Sequence, residues 1–102
     1  MRSDFHNRLQ ALAPNCRIYF QPPSNVKMAY PAIVYELDRV VKKRADNKSY
    51  LQDRRYQVTL ITKNPDDPVF DALASLVHSE FERFFTTDTL NHFVFNIYDI
   101  KE

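Results

Sequence analysis

The sequence predicts an α+β fold in which a mostly antiparallel four-stranded sheet carries two helices on one face. Two β-rich segments, residues 31–37 and 56–62, flank a turn-forming pair at residues 46–47. One segment with apolar residues at helical spacing precedes this region and another follows it. The last part of the sequence contains a run in which large apolar residues occupy every second position, as in a β-strand. The predicted order of elements is therefore α-β-β-β-α-β.

The N-terminal region predicts a short helix followed by a short strand. Ser3 or Asp4 can cap a helix whose apolar residues have helical spacing, and the pair at 14–15 ends it. These apolar residues are Phe5, Leu9 and Leu12. Residues 16–20 (CRIYF) then have the β-branched and aromatic content of a strand. Two prolines in the following loop are incompatible with regular structure.

The middle of the chain predicts a long β-hairpin from Pro31 to Thr62 with its tip at Asp46-Asn47. Folding the chain at that turn places three apolar pairs on one face of the ladder. They are Ile33 with Leu60, Tyr35 with Val58, and Leu37 with Tyr56. The opposite face pairs Glu36 with Gln57 and Asp38 with Arg55. The apolar face is therefore expected to be the core face.

A second helix is expected after the turn KNPDD, with Asp67 as its N-cap and Pro68 at its first position. Its apolar stripe is expected to lie on the core face of the hairpin. The stripe consists of Phe70, Leu73, Val77, Phe81 and Phe84, with Leu76 widening it. Residues 92–100 are expected to form the last strand, with Phe93, Phe95 and Ile97 on one face.

Length and composition predict one soluble domain covering residues 1–102. The sequence has no apolar run long enough for a membrane helix, and its first ten residues lack the apolar centre of a signal peptide. An intracellular, reducing site of synthesis is therefore expected. Cys16 is the only cysteine, which excludes an intrachain disulfide and a cysteine-based metal site. The chain has no glycine, so phosphate-binding glycine loops, dinucleotide fingerprints and nucleophile elbows are excluded.

Charge is concentrated in Arg39–Arg55, which we call the basic arm. The arm contains seven Lys or Arg and two Asp, or +5, whereas the whole chain is +1, so the remainder carries −4. Three interpretations stay open. The arm could be a solvated hairpin that discourages aggregation, a nucleic-acid contact in which Tyr50 stacks on bases, or a contact to the acidic flank of an adjacent subunit.

No pattern in the sequence indicates catalysis. His6, His78 and His92 are scattered and form no pair at metal-ligand spacing. Asp66 and Asp67 directly precede Pro68, where helix capping explains them. No catalytic residues, no metal site and no cofactor are predicted from these residues. A small nuclease or other enzyme stays open as an alternative, and it would need His78, His92, Asp66 and Asp67 in one cleft.

Three segments, PAIVYEL, RADNKSYLQDRRYQVTLITKNPDD and LNHFVFNIYD, resemble the small tail terminator proteins of long-tailed bacteriophages when taken in that order and spacing. These are also called tail completion or tail-to-head joining proteins. The resemblance covers residues 31–67 and 87–98. Its most specific parts are Ala45-Asp46-Asn47, Tyr50, Arg55–Thr59 and Asn91-His92.

This resemblance implies a structural virion protein, made in the bacterial cytoplasm, that forms a ring of usually six copies at the head-proximal end of the tail tube. The ring would end tube polymerisation and join the tail to the head connector. Its expected partners are further copies of itself, the tail tube protein and the connector or adaptor protein, with DNA only as the passing genome and no membrane. A head-tail adaptor is a closely related alternative, and a small nucleic-acid-binding module that uses residues 39–55 is a further one.

A closed ring needs two different patches on each subunit, and the basic arm and the acidic remainder supply them. We expect arm residues to contact a neighbouring subunit or the last ring of the tube, and acidic residues near the second helix to form part of the receiving surface. The predicted interface residues are Arg39, Lys42, Lys43, Arg44, Asp46, Asn47, Lys48, Tyr50, Arg54, Asp66, Asp67 and Asp71.

Overall fold

A five-stranded mixed sheet with two helices forms the protein in the computed structural model, which describes residues 2–23, 27–45 and 49–99. The α+β class predicted from the sequence is confirmed. The elements are α1 (Arg2–Leu12), β1 (Arg17–Phe20), β2 (Ala32–Ala45), β3 (Ser49–Thr62), α2 (Val69–Ala74), β4 (Ser79–Thr87) and β5 (Leu90–Asp99).

The strands lie side by side in the order β1-β2-β3-β5-β4. The pairs β2-β3, β3-β5 and β5-β4 are antiparallel, as expected for a chain rich in hairpins. β1 runs parallel to β2, with Ile18 opposite Ile33 and Phe20 opposite Tyr35. The parallel β1 makes the sheet mixed. The predicted count of four strands was one too low because β4 was not predicted.

Both helices pack on the same face of the sheet, as predicted. Phe5 and Leu9 of α1 are buried there, and the Phe5 ring stacks on Tyr56 with centroids 4.4 Å apart. Tyr35 lies beside both rings and its hydroxyl is 2.8 Å from Nδ1 of His6. The core continues along the sheet through the following residues: Ile33, Val58, Leu60, Leu73, Phe93, Phe95 and Ile97.

The predicted hairpin register is confirmed through Leu37, which lies opposite Tyr56. The register then shifts by one residue between Leu37 and Arg39, so that Arg39, rather than Asp38, is the partner of Arg55. The predicted charge pair still forms, because Nε of Arg55 donates a 2.7 Å hydrogen bond to Asp38. Leu37 is 40% exposed and is not core, since it lies at the end of the packed face. The predicted tip, residues 46–47, lies outside the described residues.

The prediction of a long second helix was wrong. α2 ends at Ala74, and residues 79–87 form β4 instead. β4 and β5 are joined by Asp88 and Thr89, both with positive φ, and pair as an antiparallel hairpin. The two positive-φ residues form the two-residue hairpin turn, and cross-strand aromatic contacts, such as Phe84 with Phe93 at 4.9 Å, stabilise the pair.

Leu73 and Val77 test the end of α2, because the long helix would bury both. Leu73 is 0% exposed and Val77 is 76% exposed. Leu73→Ala should lower the free energy of unfolding by about 2–5 kcal/mol through the cavity it leaves, whereas Val77→Ala should change it by less than about 0.5 kcal/mol. Urea denaturation followed by circular dichroism measures both, and equal losses would contradict the structure.

Candidate interaction surfaces

The basic arm is the outer part of the β2-β3 hairpin, and beyond Arg54 and Arg55 at its base no other described strand pairs with it. β1 pairs with β2 only as far as Tyr35, and β5 pairs with β3 only from Arg54 onward. Beyond those points β2 and β3 pair with each other alone, as far as Ala45 with Ser49. Five residues of extended chain from Arg54 to Ser49 span roughly 17 Å. The arm is therefore a two-stranded ribbon that leaves the sheet.

The predicted arm residues fall into three groups. Arg39 is exposed and Arg54 is half-buried where the ribbon begins. Within the paired ribbon strands, whose side chains are not described, lie Lys42, Lys43, Arg44 and Tyr50. Outside the described residues are Asp46, Asn47 and Lys48. The structure thus places the backbone of residues 39–45 opposite that of residues 49–55.

Arg55 anchors the base of the arm to the sheet. Its guanidinium is held by Asp38 on β2, and its Cζ lies 6.0 Å from the ring centroid of Tyr98 on β5. The hydrogen bond to Asp38 is the main cause that raises the pKa of Arg55 above its ordinary value, followed by the interaction with Tyr98. The Arg55 side chain therefore links β3 to both neighbouring strands, β2 and β5, within one chain.

The three acidic residues predicted to receive the arm do not have equal roles. Asp67 accepts hydrogen bonds from the Thr62 hydroxyl at 2.8 Å and from the Val69 amide at 3.0 Å. It therefore joins the end of β3 to the start of α2. The predicted N-cap was one residue too early, because Pro68 is the N-cap and has no side-chain capping bond, but the Asp67 carboxylate still binds the first amide of the helix. The carboxylates of Asp66 and Asp71 are exposed and form no hydrogen bond or ion pair with any side chain that the structure describes.

A groove of about 320 Å³ brings these acidic residues together with two aromatic rings. It is lined by Pro65, Asp66, Asp67, Phe70, Asp71 and Phe93. The rings of Phe70 and Phe93 lie 5.1 Å apart. Carboxylates beside aromatic rings suit a lysine or arginine side chain, since the ion pair and the cation–π attraction act on the same group. We call this site the acidic groove.

The titratable residues do not assemble a chemical site in the described part of the chain. His6 bonds Tyr35, His78 occupies a positive-φ turn, and the His92 ring stacks on Phe85 at 4.5 Å. No group of three His, Cys, Asp or Glu side chains among the described residues could hold a metal ion. Burial, followed by the negative charge of Asp67, raises the pKa of the Cys16 thiol and so disfavours the nucleophilic thiolate.

Sequence reasoning missed an aromatic surface on β4. Phe81, Phe84 and Phe85 are 49%, 48% and 39% exposed on a strand with no buried residue. The helical interpretation had assigned the first two to the core. The indication that could have revealed the strand is the dense β-forming run FFTT directly before Asp88-Thr89.

Comparisons with known proteins identify no relative: no protein-family model matches the chain, and no curated protein matches it.

Among the described residues, no helix combines the length and apolar character needed to cross a membrane.

Asp66 and Asp67 provide a matched pair that separates a structural carboxylate from an exposed one. Asp67→Ala should destabilise the protein by about 1–2 kcal/mol, because the Thr62 hydroxyl and the Val69 amide lose their acceptor. Asp66→Ala should change stability by less than about 0.5 kcal/mol. Thermal and urea unfolding of the two variants provide the measurement. Equal effects would show that Asp67 does not link β3 to α2.

Proposed function

We propose that this chain is the ring-forming tail terminator of a long-tailed bacteriophage, located at the head-proximal end of the tail tube. The observation that carries the proposal is the basic ribbon, which leaves the sheet and is complementary in charge to the acidic groove. The sequence resemblance supplies the identity. Two of its specific parts lie on neighbouring strands, Arg55–Thr59 on β3 and Asn91-His92 on β5.

The ribbon supports an intermolecular role because a lone two-stranded hairpin is only marginally stable in water. Beyond Arg54 it has no third strand and no helix packed on it within the described residues. Its residues include Lys42, Lys43 and Arg44, so the ribbon would gain order by docking on an anionic surface. In the proposed ring, that surface belongs to the adjacent subunit or to the last ring of the tube.

The acidic groove supports a heterologous contact, in which two different patches of each subunit meet. A closed ring requires two different patches on each subunit, and the ribbon and the groove lie on different elements. Their opposite charges would attract each other. Asp66 and Asp71 are the proposed partners of arm cations, because their carboxylates are exposed. Asp67 lines the same groove but is also committed to capping α2. Phe70 and Phe93 would contact the aliphatic stems of the incoming side chains.

In this function the protein has no catalytic step. Six copies would close a ring, the ring would end polymerisation of the tube protein, and its other face would contact the head connector. DNA would be present only as the genome that passes through the lumen. The protein would reside in the virion after synthesis in the bacterial cytoplasm. A head-tail adaptor would use the same surfaces but would bind the connector without binding tail tubes.

Charge reversal of the arm tests the proposal. The triple variant Lys42→Glu, Lys43→Glu, Arg44→Glu should weaken ring assembly or tube joining by about tenfold or more at moderate salt, since three attractions become repulsions. Electron microscopy of the protein alone and with tail tubes counts the rings and capped tubes. Infectivity after complementation provides the biological readout.

A matched control reverses three cations outside the arm: Arg17→Glu, Lys27→Glu and Lys63→Glu. This variant has the same net charge and should assemble normally. Normal rings and infectious particles from the arm variant would overturn the proposed role of the arm. Salt-sensitive binding of the wild-type protein to DNA or RNA, without rings or tube binding, would favour a nucleic-acid-binding module instead.

A further inference from the structure

The outer edge of the sheet at β4 is a second surface whose features call for a partner. No described strand pairs with the free side of β4, which is nine residues long and has no buried residue. The strand contains no proline and no lysine, two residues that commonly protect an edge, but it has three other charged residues and a bulge, which also limit pairing. The opposite edge, β1, has only four residues. An exposed aromatic edge of this length is a template for another strand.

A β-bulge at Glu82 determines which side chains share a face of β4. Phe81 lies opposite Phe95 and Phe84 lies opposite Phe93, so both rings are on the helix-bearing face. Arg83 lies opposite Val94 on the other face. Glu82 is on that same face, because Asn96 Nδ2 donates a 2.8 Å hydrogen bond to its carboxylate. The bulge therefore places the two adjacent charges together on one face and the two rings together on the other.

This arrangement makes the edge self-complementary. When a second β4 strand is placed antiparallel to the first about a two-fold axis between residues 82 and 83, Glu82 of each copy meets Arg83 of the other. Phe81 of each copy meets Phe84 of the other, and Ser79 meets Thr86. Glu80 opposite Phe85 is the one unmatched pair in this register.

The bulge also makes this register possible. Opposite residues of an antiparallel pair share a face, whereas adjacent residues of a regular strand point to opposite faces. In a regular strand, an axis between residues 82 and 83 would therefore bring side chains on different faces opposite each other. Glu82 and Arg83 share a face in β4, so both the charge pairs and the aromatic pairs match.

We propose that two copies of this chain associate through their β4 edges, forming one continuous ten-stranded sheet with reciprocal Glu82–Arg83 pairs flanked by Phe81–Phe84 contacts. The occupant of the edge is a second copy because a two-fold axis satisfies both charges and both rings with a single sequence. A segment of another protein would have to supply the complementary order of charge and aromatic residues. The inference does not depend on the proposed ring, whose contacts use the arm and the acidic groove.

Charge complementation tests the two-fold contact. Glu82→Arg places two arginines on each copy of the edge, and Arg83→Glu places two glutamates there. Each variant alone should lose β4-mediated self-association by about tenfold or more, since like charges lie opposite each other in both halves of the contact. A mixture of the two variants should form mixed dimers, because every opposed pair is then one arginine and one glutamate.

The mixture separates this contact from a local structural effect. Glu82 and Arg83 also touch within one chain at 3.3 Å, and that contact stays broken in both variants after mixing. Recovery in the mixture can therefore come only from pairing between chains. The double variant Glu82→Arg, Arg83→Glu should associate with itself as the wild type does. Glu36→Arg and Lys63→Glu are matched controls at exposed sites away from β4, and neither should weaken association.

All β4 variants are compared in the Lys42→Glu, Lys43→Glu, Arg44→Glu background, which removes the proposed ring contact. Sedimentation velocity of this parent, the variants and the mixture gives the oligomeric state, and pull-down between differently tagged variants identifies mixed dimers. Near-ultraviolet circular dichroism confirms that each variant is folded. A parent that does not self-associate, single variants that associate as tightly as the parent, or a mixture that forms no mixed dimers would each overturn the proposal. Ring formation that persists when the single variants carry the native arm, while β4 pairing is lost, would leave the proposed tail function intact.

Discussion

The pairing of β2 with β3 is the interaction on which the rest of the molecule depends. One half of this ladder supplies the centre of the core, where Tyr35 and Val58 lie opposite each other under α1. Its other half is the basic arm. Core and arm are consecutive parts of the same two strands, so the burial of Tyr35, Tyr56 and Phe5 fixes the direction in which the arm leaves the sheet. Arg55, held by Asp38 and Tyr98, stands at the boundary.

The hairpin could be predicted from sequence because its alternating apolar residues and its turn residues support the same register. Ile33 with Leu60 and Tyr35 with Val58 follow from that agreement. The register shift after Leu37 could not be predicted from the sequence. Apolar and polar residues alternate only weakly there, and a bulge has no clear signature in composition. The parallel direction of β1 depends on the course of residues 21–31, which no local pattern specifies.

The second helix was mispredicted for a specific physical reason. A bulge at Glu82 puts Phe81 and Phe84, three residues apart, on one face of a strand. This is also the spacing of neighbours on one face of a helix, so the apolar pattern from Phe70 to Phe84 fits both structures. The candidate acidic residues could be named from sequence, but their division of roles could not. The positions of the Thr62 hydroxyl and the Val69 amide show that Asp67 is bound within the fold while Asp66 is exposed.

The ribbon also has a mechanical consequence. The ribbon extends outward from the Arg55–Asp38 contact, and the other halves of the same two strands are part of the aromatic core. A force on the outer end of the paired strands, at Ala45 and Ser49, acts as a torque on β2 and β3. Close-packed rings such as Tyr35 and Phe5 resist that torque rather than absorb it. Load applied to the outer end of the paired strands would thus be carried into the core of the protein.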